Sequence, residues 1–321
     1  MAGGQERLLR RRINSVQSTK KITRAMELIA ATRVAKAQQR AQEARPYAEQ
    51  ITGVIQDLAE GGAEVSHPLL KKVEDPQKVA FVVITSDRGL AGAYNSSVIR
   101  AAEREIMALR SEGKDYSLVI IGKKAETYFR FRNYKIDAVY HKMSDTPRFE
   151  DARTVANKVA DMFIEGDVDQ VELVYTRFLS MASQQVTVRR FLPLQTRERD
   201  ETSEALAGFE LEPSPEAVLT ALLPRYVEAR LFAALLDAAA SEHANRQRAM
   251  KAATDNAEEL IIKLSRAMNR ARQDAITTEI MEIVGGAEAL RADKGDESDL
   301  LLDHLFPAEL FPDHHPQHFA R

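Results

Sequence analysis

Small and apolar residues recur at steps of four and three from Ala30: Val34, Ala37, Ala41, Ala44, Ala48, Ile51, Ile55 and Leu58. A 3.5-residue repeat defines a helix with one narrow seam. Leu9, Ile13, Val16, Ile22 and Met26 extend the stripe upstream with looser spacing. Pro46 removes a backbone donor and is expected to kink or loosen this helix, and Gly61-Gly62 to end it. A second seam is longer. Leu219, Leu222, Tyr226, Ala229, Ala233, Leu236 and Ala240 lead through His243, Gln247, Met250, Thr254, Ala257, Ile261, Leu264, Met268, Ala271 and Ala275. Ile276, Ile280, Ile283, Ala287 and Leu290 carry it on, shifted by one residue. Ser214 and Pro215 read as the N-cap and first position of this helix.

The length of the segments decides their arrangement. Residues 216–290 as one helix span roughly 110 Å, and residues 5–59 about 80 Å. A compact globule of 321 residues has a radius of gyration of only about 20 Å. The two helices therefore pair as an antiparallel, left-handed coiled coil outside the globule.

Between them the pattern changes. Lys78–Thr85 and Tyr116–Gly122 are continuous apolar runs, as buried strands require. Helices are expected at Asn95–Arg110, Lys123–Arg132 and Glu150–Glu165, with further strands at Ile136–Tyr140, Val171–Leu179 and Gln185–Leu194. This is a central Rossmann-like α/β domain with a mostly parallel sheet and an antiparallel edge. The fold class is thus α/β, or α+β if the helical arms are counted with it. The divisions are 1–60, N-terminal coiled-coil helix; 76–194, central domain; 195–215, linker; 216–290, C-terminal coiled-coil helix; and 291–321, an acidic tail.

Composition narrows the function. No Cys is present, which removes disulfides, thiolate metal sites and thiol switches. No apolar run is long enough to span a membrane, and the N-terminus lacks a signal-peptide core. These features point to a cytoplasmic protein that meets membranes only through partners. The total charge of -3 hides an uneven distribution. Residues 1–45 hold eleven basic and three acidic side chains, a surplus of +8, while residues 291–321 carry -4. A basic helix of this kind faces an acidic partner or simply solvent. Nucleic acid is disfavoured by the lack of interleaved aromatics.

Candidate chemistry is sparse. Thr85–Asn95, TSDRGLAGAYN, joins a strand to a helix, and Gly89 and Gly92 could mimic a phosphate-binding turn. The loop matches neither a Walker A nor a GxGxxG pattern, so a structural turn or partner surface is the stronger reading. His243 on the seam suits register or partner contact better than metal binding. His304, His314, His315 and His318 have no framework that would hold a metal. The residues alone leave two readings open: a mechanical shaft, or a coiled-coil adaptor carrying an α/β binding domain.

Three blocks resemble one family. RRRINSVQSTKKITRAMELIAATRVAKAQ (10–38), TSDRGLAGAYN (85–95) and ASEHANRQRAMKAATDNAEELI with NRARQDAITTEIMEIVGGAEAL (269–290) are similar in order and spacing to the gamma subunit of the bacterial rotary proton-translocating ATP synthase. The resemblance covers about residues 2–290. It implies a central rotor shaft that couples proton flow to ATP synthesis or hydrolysis and regulates ATPase activity, with no catalytic site of its own and no cofactor. It implies alpha and beta subunits, epsilon and the c-ring as partners, at the cytoplasmic face of the cell membrane. Lys20, Lys21, Arg24, Met26, Arg88, Ala91, Arg272, Gln273, Thr277 and Glu279 match positions that contact beta. Ile276, Ile280, Ile283, Val284 and Leu290 match an end that enters an apolar sleeve. The chain departs from the family in running past Leu290, a tail expected to be mobile, and in lacking the cysteine insertion of photosynthetic relatives.

Overall fold

The computed structural model describes residues 2–60, 67–194 and 214–293. Residues 195–213 of the predicted 195–215 linker and 294–321 of the predicted 291–321 tail lie outside them. The elements are α1 (Ala2–Glu60), a 3-10 turn (Pro68–Leu70), β1 (Lys78–Ile84), α2 (Tyr94–Ser111), β2 (Asp115–Ile121), α3 (Lys123–Phe131), β3 (Ala138–Tyr140), α4 (Phe149–Ile164), β4 (Gln170–Phe178), β5 (Gln184–Leu192) and α5 (Pro215–Asp293). The expected strands and helices are all present, and β3 begins two residues late. The chain divides into two compact units: Ser18–Glu258, and Met1–Gln17 with Glu259–Arg321.

In the larger unit the sheet runs β3-β2-β1-β4-β5. The first four strands are parallel, and β5 lies antiparallel to β4. Alternate residues of β1 explain its unbroken apolar run. Ala80, Val82 and Ile84 pack on one face with α4 and the start of α5. Val79, Phe81 and Val83 pack on the other with α2 and α3. A strand covered on both sides has no polar face to show.

The helix pair is antiparallel. Thr23 and Thr254 share a 2.8 Å hydrogen bond between hydroxyls, and Lys20 reaches Glu258 at 3.2 Å. Ala30, Val34, Ala37, Ile51 and Ile55 are buried as the heptad requires. The upstream stripe differs from expectation. Ile22 is 60% exposed, because the 3,4 spacing passes instead through half-buried Lys20 and buried Thr23 and Glu27. Helical period decides which positions face the partner, and these three satisfy their polar groups there. Pro46 does not interrupt α1, nor does Pro224 interrupt α5.

Helix α5 starts as expected, with Ala217 N–H donating to Ser214 Oγ at 3.2 Å. It carries a second stripe that the seam conceals. Leu219, Leu223, Val227, Leu231, Leu235 and Ala238 belong to the core beneath the sheet. In the smaller unit, Ile13 and Leu264 are the buried seam positions. There α1 begins at Ala2, while α5 runs on to Asp293. Every residue from Ile276 to Arg291 is exposed. No helix among the described residues is long and apolar enough to cross a membrane.

Candidate functional site

In an open α/β sheet, ligands bind beyond the carboxyl ends of the strands, where adjacent crossovers leave on opposite faces. Here that point lies between β1, followed by α2 on one face, and β4, preceded by α4 on the other. The chain's own helix α5 crosses it. Ser241 Oγ donates to Thr176 O at the end of β4, at 3.1 Å. Arg246 Nη2 donates to Gly89 O in the loop after β1, at 3.3 Å. A Cβ added at Gly92 would lie 3.8 Å from the Ala249 methyl.

The 85–95 loop is built to receive the helix. Ser86 N–H donates to Asn95 Oδ1 at 2.9 Å, folding the loop back on itself. The Asp87 carboxylate accepts from Lys123 N–H at 3.1 Å and Lys142 N–H at 2.8 Å, gathering three strand-end loops. Gly122 is irreplaceable there: its φ is +100°, and a Cβ would meet Thr85 O at 2.2 Å. The loop glycines lie at this joint, Gly89 O accepting from Arg246 and Gly92 standing beside Ala249.

A charged cluster forms where α1, α5 and the strand-end loops meet. Arg33 Nη1 on α1 donates to both Asp145 carboxylate oxygens. His243 Nε2 hydrogen-bonds Asp145 O at 3.1 Å, and its Nδ1 receives Arg246 Nη1 at 3.3 Å. Arg246 also donates to Glu242 Oε1 at 2.7 Å. The side chains of Glu242 and Arg246 are 2% and 9% exposed. Burial lowers the pKa of His243, so the ring is neutral. Burial raises the pKa of Glu242 against the pull of Arg246. It holds the Tyr94 phenol well above its ordinary value, with the Glu242 charge adding to the effect. Donor atoms of Asp145, Glu242 and His243 all lie within 4.8 Å of one another, a spacing a metal could use. The two guanidinium groups balance the two carboxylates and both imidazole nitrogens are engaged, while Glu242 Oε2 and the Tyr94 hydroxyl are buried without a hydrogen-bond partner.

The resemblance-based contact residues fall into three groups. Lys21, Arg24 and Arg88 are exposed, Arg24 pairing with Glu27 at 2.9 Å. Lys20 and Met26 are half-buried against the helix pair. Arg272, Gln273, Thr277 and Glu279 are exposed along the end of α5. Its apolar residues are open as well: Ile276, Ile280, Ile283, Val284 and Leu290 are 50 to 67% exposed. Ala91 differs from these: it is 2% exposed, its side chain buried within the chain.

Arg33, Asp145, Glu242 and Arg246 were not singled out from the sequence. The only local signal is a glutamate and an arginine one turn apart in the small-residue run AAASEHANR.

The family described as ATP synthase matches residues 5–290. An ATP synthase gamma chain of Parafrankia is 54% identical, covering 89% of this chain and 98% of its own. One from Frankia casuarinae is 53% identical over the same shares. Among solved structures, the central stalk and c-ring of the Tetrahymena thermophila mitochondrial ATP synthase contains a chain 26% identical, with TM-score 0.57, covering 72% of this chain and 99% of that one. A chain of the Euglena gracilis mitochondrial ATP synthase shares the fold at TM-score 0.64 and 19% identity, covering 92% of this chain.

Proposed function

Because the chain belongs to the ATP synthase gamma-chain family, we propose that it is the enzyme's central rotor shaft and derive its action from the following geometry. The observation that carries the mechanism is the contrast along α5, buried on every side where it crosses the sheet and exposed on every side at its far end. The buried part couples helix to domain. The exposed part is free to be gripped by a surrounding assembly.

Alpha and beta subunits form that assembly in this reading, and the c-ring, with epsilon, engages the sheet domain. Rotation of the ring turns the shaft, whose uneven surface takes the catalytic sites of the head through successive states. The basic face of α1 meets acidic segments of beta. The isoleucines from Ile276 onward suit a sleeve: apolar contact is non-directional and permits turning, whereas fixed ion pairs would arrest it. No reacting group is contributed by this chain, since α5 occupies the cleft where the fold would hold a nucleotide. The protein is peripheral, on the cytoplasmic face of the membrane.

The test is purification of the assembled enzyme. Alpha, beta and ring subunits should accompany the chain. Arg272→Ala with Gln273→Ala should lower ATP synthesis more than it lowers assembly. Recovery of the chain without alpha and beta would instead support a free-standing adaptor.

A further inference from the structure

The apolar seam does not define its own register. Alanines stand along it in both helices, at Ala30, Ala37 and Ala44 in α1 and at Ala229, Ala240 and Ala257 in α5. Sliding one helix by a heptad would again bring small or apolar side chains together. Charge breaks this degeneracy. Arg33 comes from α1, Asp145 from the segment between β3 and α4, and Glu242, His243 and Arg246 from α5. A slip would keep the Glu242–Arg246 pair intact, because both lie on α5. The contacts of α5 with Gly89 O and Asp145 O would also survive, since the stripe from Leu219 to Ala238 anchors α5 in the sheet core, but a slip of α1 would carry Arg33 away from Asp145 and leave both charges unpaired.

Apolar residues of similar volume would hold the elements together as strongly as this network does. They would not specify an angle. Hydrogen bonds from a planar guanidinium to a carboxylate, a ring nitrogen and a carbonyl are directional. The network is thus better suited to defining position than to adding strength.

We propose that Arg33, Asp145, His243, Arg246 and Glu242 form an angular joint, which fixes the axial position and rotational angle at which α1 and α5 meet the sheet domain. The inference rests on the shaft reading and deepens it: turning of the helix pair passes to the domain without slip. These are positioning residues, and none touches a substrate. Thr23 and Thr254 supply a second, weaker index mark on the same helix pair.

The test uses the assembled enzyme with its other accessible cysteines removed. A bead is attached through Met107→Cys, an exposed site on α2, in a chain that has no cysteine of its own. Dwell angles are recorded during ATP-driven rotation. Arg33 is half-exposed, so Arg33→Ala should fold and assemble. It should widen the spread of dwell angles by about twofold while the KM for ATP stays unchanged. Arg33→Lys, which keeps the charge but not the planar guanidinium, should widen it less. Asp145→Ala, which removes the same pair and also the carboxylate 3.6 Å from His243 Nε2, should widen it at least as much as Arg33→Ala. An unchanged spread in both alanine variants, with rotation normal, would overturn the joint alone. Absence of rotation in the unmutated assembly would overturn the shaft reading and the joint with it.

Discussion

Two stretches of the same helix reverse the usual placement of residues. Between Ala234 and Arg246, α5 buries a glutamate, a histidine and an arginine. Between Ile276 and Leu290 it exposes isoleucine, valine and leucine. Local hydrophobicity explains neither. The first stretch has neighbours that pair its charges, Glu242 with Arg246 and His243 with Asp145 O, and the second outruns the helix beside it. Burial in this chain is decided by what lies alongside, and the polar residues follow their partners inward. Exposed apolar patches of this kind mark interaction surfaces.

The sharpest way to break the comparison is to unbalance the buried stretch. Arg246→Ala should destabilise the fold by about 3–5 kcal/mol, because it leaves Glu242 buried without its cation. Arg246→Met combined with Glu242→Leu should recover most of that loss. Denaturant unfolding of the full chain measures both.

Acid and base should separate the two buried groups. The pKa of His243 is lowered from 6.5 by burial, so the folded state binds fewer protons there than the unfolded one. Its contribution is present above pH 6.5 and is lost as pH falls toward the folded pKa. Glu242 has the opposite sign. Its pKa is raised from 4.5 by burial, so its contribution declines as pH rises above 4.5. Arg246, Asp145, Asp87, Tyr94 and Arg33 are the charged or titratable groups acting on this pair. Each group can tilt stability by at most about 1.4 kcal/mol per pH unit. His243→Gln and Glu242→Gln should change the slope of stability against pH in opposite directions, measured by unfolding at a series of pH values.

Much of the helix pair could be read from the sequence. Ala30, Val34 and Ala37 face inward because the 3.5-residue period puts them there. The strands were legible as runs apolar on both faces. Two features were not. The sheet-facing stripe of α5 interleaves with its seam, so each hides the other's period. The charged joint unites residues far apart along the chain: Arg33 and Asp145 are 112 positions apart, and Asp145 and His243 are 98. No spacing rule connects them. Ile22 was misplaced on the seam because a polar Thr23 was not expected inside it. Thr254 on the other helix supplies the missing reason.

That threonine pair gives the next prediction. Thr23→Val or Thr254→Val alone removes the bond between the helices but leaves the other hydroxyl donating to its own helix, at Met250 O or Lys20 O, and should cost about 0.5–1 kcal/mol. The double variant should be nearly neutral, as both polar groups are then gone. A double-mutant cycle reads the difference.

The smallest effect on stability belongs to the exposed stretch. Ile276→Ser with Ile283→Ser should change unfolding by about 0.5 kcal/mol or less, as surface substitutions do. The same variant should bind the alpha/beta head less well in reconstitution. A large loss of stability would show that those isoleucines pack within the chain after all.

The plugged cleft imposes an order of events during biosynthesis. The five-stranded sheet is complete once Leu192 has left the ribosome, but Ser241, Arg246 and Ala249 are made later. Domains tend to condense as their residues emerge, so the sheet can form with its strand-end cleft open. Over the same interval α1, synthesised first, waits with Ala30, Val34 and Ala37 uncovered. A single late segment then closes both gaps. The nascent chain is most vulnerable to aggregation just before α5 emerges, and a stop before residue 215 would leave the sheet with an open cleft and an unpaired helix.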